Sequence, residues 1–134
     1  MTKTMTIKPA GMSFFVVIYA IILALIGTYL GITSLLDPTS AVNYTEGAEP
    51  LASAWAGRTL GLGLAAGLAV YFRSARVYTV AFLGSVCREF GDIVGMISTG
   101  QTVTIAVLSV FLVLDIIGLI YSVRAIPIEQ SQRD

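Results

Sequence analysis

The chain has no histidine, one cysteine and few charges: 12% of its 134 residues are Asp, Glu, Lys or Arg, and they balance to a formal net charge of zero. Each shortage excludes something. Without histidine and with only Cys87, the usual ligand sets for zinc, haem or an iron–sulfur cluster cannot be assembled, so no metal and no cofactor is expected. One cysteine cannot close an internal disulfide. Lying in an apolar run, Cys87 reads as a small packing residue. A neutral chain has no electrostatic footprint for nucleic acid. No nucleotide-binding loop, serine-nucleophile elbow or metal motif occurs. Soluble domains carry about 25% charged residues, roughly twice the share found here.

What is present is apolar. Hydrophobic residues make up 56% of the chain, and the mean hydropathy is +0.86. A membrane-spanning helix needs roughly 20 apolar residues. Four such runs fit, at 12–36, 51–72, 77–97 and 103–123, and they leave no room for a soluble domain. The expected fold is all-α: one integral membrane four-helix bundle. The first run is far longer than the 7–15-residue core of a signal peptide, so it is read as a retained helix.

Charge in the connections sets an orientation. The N-terminal tail has Lys3 and Lys8 and no acid, while the 37–50 loop has Asp37, Glu46 and Glu49 and no base. The next turn carries Arg73 and Arg76, the 98–102 connection is uncharged, and the last segment begins with Arg124. Basic residues mark the cytoplasmic side. The chain is therefore expected to be N-in and C-in, a multi-pass protein of a bacterial inner (plasma) membrane with lipid as its surroundings. Asn43-Tyr44-Thr45 in the outer loop matches a glycosylation sequon, a triplet common by chance.

Glycines stand four apart at Gly27 and Gly31, Gly57 and Gly61, Gly63 and Gly67, and Gly91 and Gly95. In lipid, apolar burial does not drive helices together, so close backbone approach must. Their density in the second and third runs predicts that these two helices pack closely, and leaves a homo-oligomer or a larger membrane complex open.

Five ionisable side chains fall inside the runs: Arg58, Arg88, Glu89, Asp92 and Asp115. Each costs roughly 2.5–3.5 kcal/mol near a helix centre, whereas a large apolar residue returns about 0.3–0.6. The third run carries three of them, and its apolar residues recover roughly 2–5 kcal/mol against roughly 7–10, so partners must meet its polar face. Depth selects those partners. At 1.5 Å per residue, Arg58 lies about 10 Å from the outer end, Asp92 about 8 Å, Glu89 about 12 Å, Arg88 about 13 Å and Asp115 about 18 Å. Arg58 should pair with Glu89 or Asp92, and Arg88 with Asp115 or Asp92. Two arginines facing three carboxylates leave one acid over, and a surplus carboxylate in a low dielectric tends to hold its proton. Tyr29 and Trp55 are further candidates for a polar core with Arg58 and Arg88, although Trp55 near the interface also suits an anchor.

The stretch "AGRTLGLGLAAGLAVYFRSARVYTVAFLGSVCREFGDIVGMI" resembles the small four-helix membrane proteins grouped as domain of unknown function 4267, with the related group 4345. The shared pattern is a Gly-x-Arg, a Leu-Gly-Leu-rich helix, a short basic turn, and a glycine-bearing helix with an Asp. Arg58, the 73–76 turn and Asp92 stand at those places. The likeness covers about a third of the chain, and Ala56-Gly57-Arg58 sets the small residue differently. It implies the four-helix fold and an Arg58–Asp92 pairing, and carries no activity.

Three functions fit these residues. The favoured one is a non-enzymatic subunit or lipophile-binding module, whose partner would be a lipophilic small molecule. The alternative is a metal-free intramembrane acid/base enzyme (isomerase, cyclase or epoxide hydrolase) on a lipophilic substrate, with Glu89, Asp92 and Asp115 as catalytic candidates. A proton-coupled small transporter ranks last, because the first helix carries no carboxylate.

Overall fold

The computed structural model describes residues 11–41, 46–99 and 102–131. Lys3, Lys8, the Asn43-Tyr44-Thr45 triplet, and Gly100 and Gln101 of the third connection lie outside the described residues. Over the described residues the chain is all-α, without a strand: α1 (Phe14–Leu36), a 3₁₀ turn (Pro38–Ser40), α2 (Glu49–Phe72), α3 (Ala75–Thr99) and α4 (Thr102–Ser131).

Local chemistry accounts for the breaks. Asp37 stands before Pro38, whose ring pushes its predecessor out of the helical region; Asp37 is extended at φ −138° and ψ 95°, and α1 stops there. Glu49 and Pro50 open α2, a negative charge at the positive end of the helix dipole followed by a residue with no N–H to leave unpaired. The α2 C-cap is Arg73 in the left-handed region (φ 52°), its N–H donating to the Ala69 carbonyl. That reversal turns the chain directly into α3.

The fourth helix runs past the expected end at Val123 to Ser131, with Pro127 inside it. Proline removes a backbone hydrogen bond, so packing must hold this last stretch. Ala125 is fully buried. The Glu129 carboxylate accepts the Ala75 N–H at 2.6 Å, occupying one of the unpaired donors at the start of α3.

Packing divides the four helices into two hairpins. The α1–α2 and α3–α4 seams are extensive, the α2–α3 seam is thinner, and α1 barely meets α4. The glycine expectation is thereby corrected: the closest approach is between α1 and α2. A Cβ on Gly63 would stand 2.5 Å from the Thr28 nitrogen, and one on Gly31 2.7 Å from the Leu60 Cα. Gly57, Gly61, Gly91 and Gly95 face open space instead. Glycine spacing alone does not say which face of a helix meets a neighbour.

The apolar core gathers Met12, Val16 and Val17 of the chain start and α1 with Ala69, Tyr78 and Phe82. Tyr19 and Tyr78 each stack on Phe82, at centroid distances of 6.0 and 6.2 Å. The outside is apolar as well: Leu25 is 68% and Val80 70% exposed, while Glu89 and Asp115 are 0% exposed. Among the described residues, two helices are long and apolar enough to cross a membrane, Phe14–Leu36 and the Thr104–Ser131 part of α4, with mean hydropathies of 2.5 and 2.4.

Candidate functional site

The thin α2–α3 seam leaves a cavity of about 150 Å³ between the two hairpins, walled by all four helices. On α3, residues 78, 82, 85, 89 and 92 recur at alternating steps of three and four, so they form one stripe along the helix. Tyr78, Phe82, Ser85, Glu89 and Asp92 all line the cavity. Leu23, Trp55, Leu62 and Phe111 supply apolar and aromatic wall from the other three helices.

Asp92 marks one end of the α3 stripe, and Arg58 meets it there. The guanidinium Nη2 donates to Asp92 Oδ1 at 2.8 Å, joining α2 to α3. Asp92 was one of the two partners that depth allowed. The Arg58 side chain is 48% exposed and that of Asp92 15%, so the pair sits at the rim. Glu89 lies one turn deeper and is fully buried.

Arg88 differs from expectation. It donates to Glu89, its neighbour in the chain, and not to Asp115 or Asp92. Successive residues on a helix point about 100° apart, but a long arginine stem can fold back. Asp115 already has another donor: the Tyr19 hydroxyl gives a hydrogen bond to Asp115 Oδ1 at 2.8 Å. Ser85 stands as a second hydroxyl beside the same carboxylate. Asp115 does not line the cavity. Of the three acids, the one without a cation in ion-pair contact among the described residues is therefore Asp115, set behind Ser85 and held by α1.

Among the described residues, four cavity-lining side chains have buried polar atoms with no protein partner: Thr59 Oγ1, Tyr78 O–H, Arg88 Nε and Glu89 Oε2. Leaving such a group unsatisfied costs about 1–3 kcal/mol, more when it is charged. Folding alone gives no reason to concentrate four of them around one cavity, three on α3 and one on α2. Asp115 Oδ2 is a fifth unpartnered atom, outside the cavity.

Other candidates move. Tyr29 is 67% exposed, over a shallow outer groove with Leu25, Leu64 and Leu68; the α1 tyrosine that reaches the polar interior is Tyr19, ten residues earlier, or nearly three helical turns. Trp55 lines the cavity and so has a role besides anchoring. Cys87 is exposed and is not an interior packing residue, because it stands opposite the polar stripe on α3. Tyr19, Tyr78, Ser85 and Thr59 are the site residues that sequence reasoning missed or passed over. The available signal was a hydroxyl in an apolar run, which must find a partner when buried.

No family model matches this chain, and neither a curated protein nor a solved structure is significantly similar to it. The site's own geometry is therefore the basis on which function can be argued.

Proposed function

We propose that this chain is a small four-span membrane bundle, both termini cytoplasmic, that holds a lipophilic small molecule between its two hairpins. The observation that carries the reading is the cavity: apolar and aromatic over most of its wall, with buried hydrogen-bonding atoms that no side chain satisfies. Small-molecule sites have this composition, a greasy enclosure with a few placed polar groups. The inverted distribution of side chains, with carboxylates inside and leucines outside, supports lipid surroundings. It agrees with the fold implied by the resemblance to the domain of unknown function 4267 group.

The test is occupancy. Ala66 is buried and lines the cavity, so Ala66→Phe should fill it. Protein extracted from membranes is expected to carry a lipophile detectable by mass spectrometry, and the Ala66→Phe variant to lose it while remaining folded. Equal recovery from both, or none from either, would refute the reading.

One observation supports a second reading, acid/base chemistry on the bound molecule. Glu89 Oε2 is buried, unpartnered and on the cavity wall, where a general acid or base has to stand. Turnover of the recovered lipophile by wild type and not by Glu89→Gln would establish it. Asp115, which does not line the cavity, is not a candidate for that step.

A further inference from the structure

We infer that the ligand of this cavity is a neutral, elongated lipophile ending in a hydroxyl group, bound with that hydroxyl between Glu89 and Thr59. The inference rests on the proposal that the cavity is a lipophile site, and it names the chemical class.

Charge matching is the first step. Each arginine near the cavity is already neutralised, Arg88 by Glu89 and Arg58 by Asp92. The acid without a cation, Asp115, does not line the cavity and is bonded to Tyr19. A ligand with a full charge would therefore enter a low-dielectric space that offers it no counter-ion. A carboxylate would face the uncovered Glu89 oxygen, and an ammonium would find Glu89 already matched.

Hydrogen-bonding capacity is the second step. Glu89 Oε2 can only accept. Thr59 Oγ1, within a residue that is 3% exposed, can donate or accept, and Arg88 Nε can only donate. A hydrocarbon satisfies none of them. An ether or ketone can accept from Thr59 or Arg88 but leaves Glu89 Oε2 bare. A hydroxyl does both: it donates to Glu89 Oε2 and accepts from the Thr59 hydroxyl. Sites built around such atoms discriminate against the analogue that lacks the group, because the buried partner is then left unpaired.

Shape supplies the rest. From Glu89 the cavity-lining stripe of α3 runs about 16 Å, three turns, down to Tyr78. Phe82 lies along that path, with Leu23, Leu62 and Phe111 on the facing helices. An elongated apolar skeleton suits the stretch from Glu89 past Phe82, with the unpartnered Tyr78 hydroxyl at its far end.

Trp55 is the only tryptophan of the chain and lines the cavity, so its emission reports on the site directly. Purified protein in lipid nanodiscs would be titrated with dodecan-1-ol, methyl dodecyl ether, dodecanoate and dodecylammonium, with concentrations taken as mole fraction in the bilayer. A saturable change in Trp55 emission is expected, with the alcohol tighter than each of the other three by at least about tenfold. Thr59→Val, nearly isosteric and free of new charge, removes a donor that alcohol and ether share, so it should weaken both by a similar factor, about fivefold or more, and leave the alcohol preferred through Glu89 Oε2. Glu89→Gln leaves Arg88 unmatched and should turn the preference toward dodecanoate, which loss of packing alone would not do. Saturable binding of all four probes at similar mole fraction, or tightest binding of any probe but the alcohol, overturns the hydroxyl assignment and leaves the lipophile site standing. No saturable response to any probe overturns both.

Discussion

Tyr19 ties α1 to α4 through a buried hydrogen bond. Its hydroxyl is the donor to Asp115 Oδ1, and Asp115 is fully buried with its other oxygen unpartnered. Tyr19→Phe keeps the ring stacked on Phe82 and removes only the donor. The variant should lose about 1–3 kcal/mol of stability, because a buried acceptor is stranded. Tyr29→Phe, at an exposed position, should stay within about 0.5 kcal/mol of wild type. Denaturation in mixed micelles, followed by loss of helical circular dichroism, measures both. Were the two variants equally stable, the Tyr19 bond would contribute nothing.

The same residues show what could be read in advance. Depth along a helix can be counted from its ends, which narrowed the partner of Arg58 to Glu89 or Asp92; the structure pairs it with Asp92. The azimuth of Tyr19 could not be counted, because α1 is apolar nearly all round and no polar stripe marks an inner face. For α3 the polar residues mark it, which is why Glu89 and Asp92 were legible and the α1 tyrosine was not.

At the scale of elements, glycine spacing is the instructive case. Gly57 and Gly61 stand four apart, as do Gly63 and Gly67, yet the first two face open space while Gly63 touches the α1 backbone. The four helices were visible in the sequence because runs of apolar residues are long and the breaks at Asp37-Pro38 and Arg73 are chemically sharp. The pairing of helices into hairpins was not, since it depends on which of several equivalent small faces is used. Gly63→Ala should therefore destabilise by about 1–3 kcal/mol through overpacking at Thr28 and Gly27. Gly61→Ala should be neutral or stabilising by up to about 1 kcal/mol through helix propensity. Parallel unfolding curves of the two variants check this, and a larger loss from Gly61→Ala would contradict the α1–α2 seam. The end of α4 gives a second test at this scale. Glu129→Gln removes the charge from the carboxylate that accepts the Ala75 N–H, and should weaken the start of α3 by about 0.5–2 kcal/mol, the range for lost caps. Faster amide exchange confined to the first turn of α3 would register it.

For the whole molecule, the cavity and the proposed membrane orientation are linked. Arg58, Glu89 and Asp92 fall at a common level only if α2 and α3 are antiparallel and joined by the short Arg73-Ser74 turn, as they are. Arg73 lies in that turn and Arg76 in the first turn of α3, while Asp37 and Glu46 lie in the α1–α2 connection and Glu49 opens α2. Basic connections stay on the cytoplasmic side, so the rim with Arg58 and Asp92 would open toward the outer leaflet and Tyr78 would lie toward the inner one. Cysteine accessibility tests this orientation. In a Cys87→Ser background, Glu46→Cys is expected to react with a membrane-impermeant maleimide in intact cells, and Ser74→Cys only after permeabilisation. Replacing both Arg73 and Arg76 by glutamine removes the positive charge that holds the turn inside, and part of the Ser74→Cys population should then become reactive from outside. Labelling of Ser74→Cys in intact cells without those replacements would invert the bundle. The hydroxyl-binding end of the cavity would then face the inner leaflet, and a ligand would have to reach it from the cytoplasmic side.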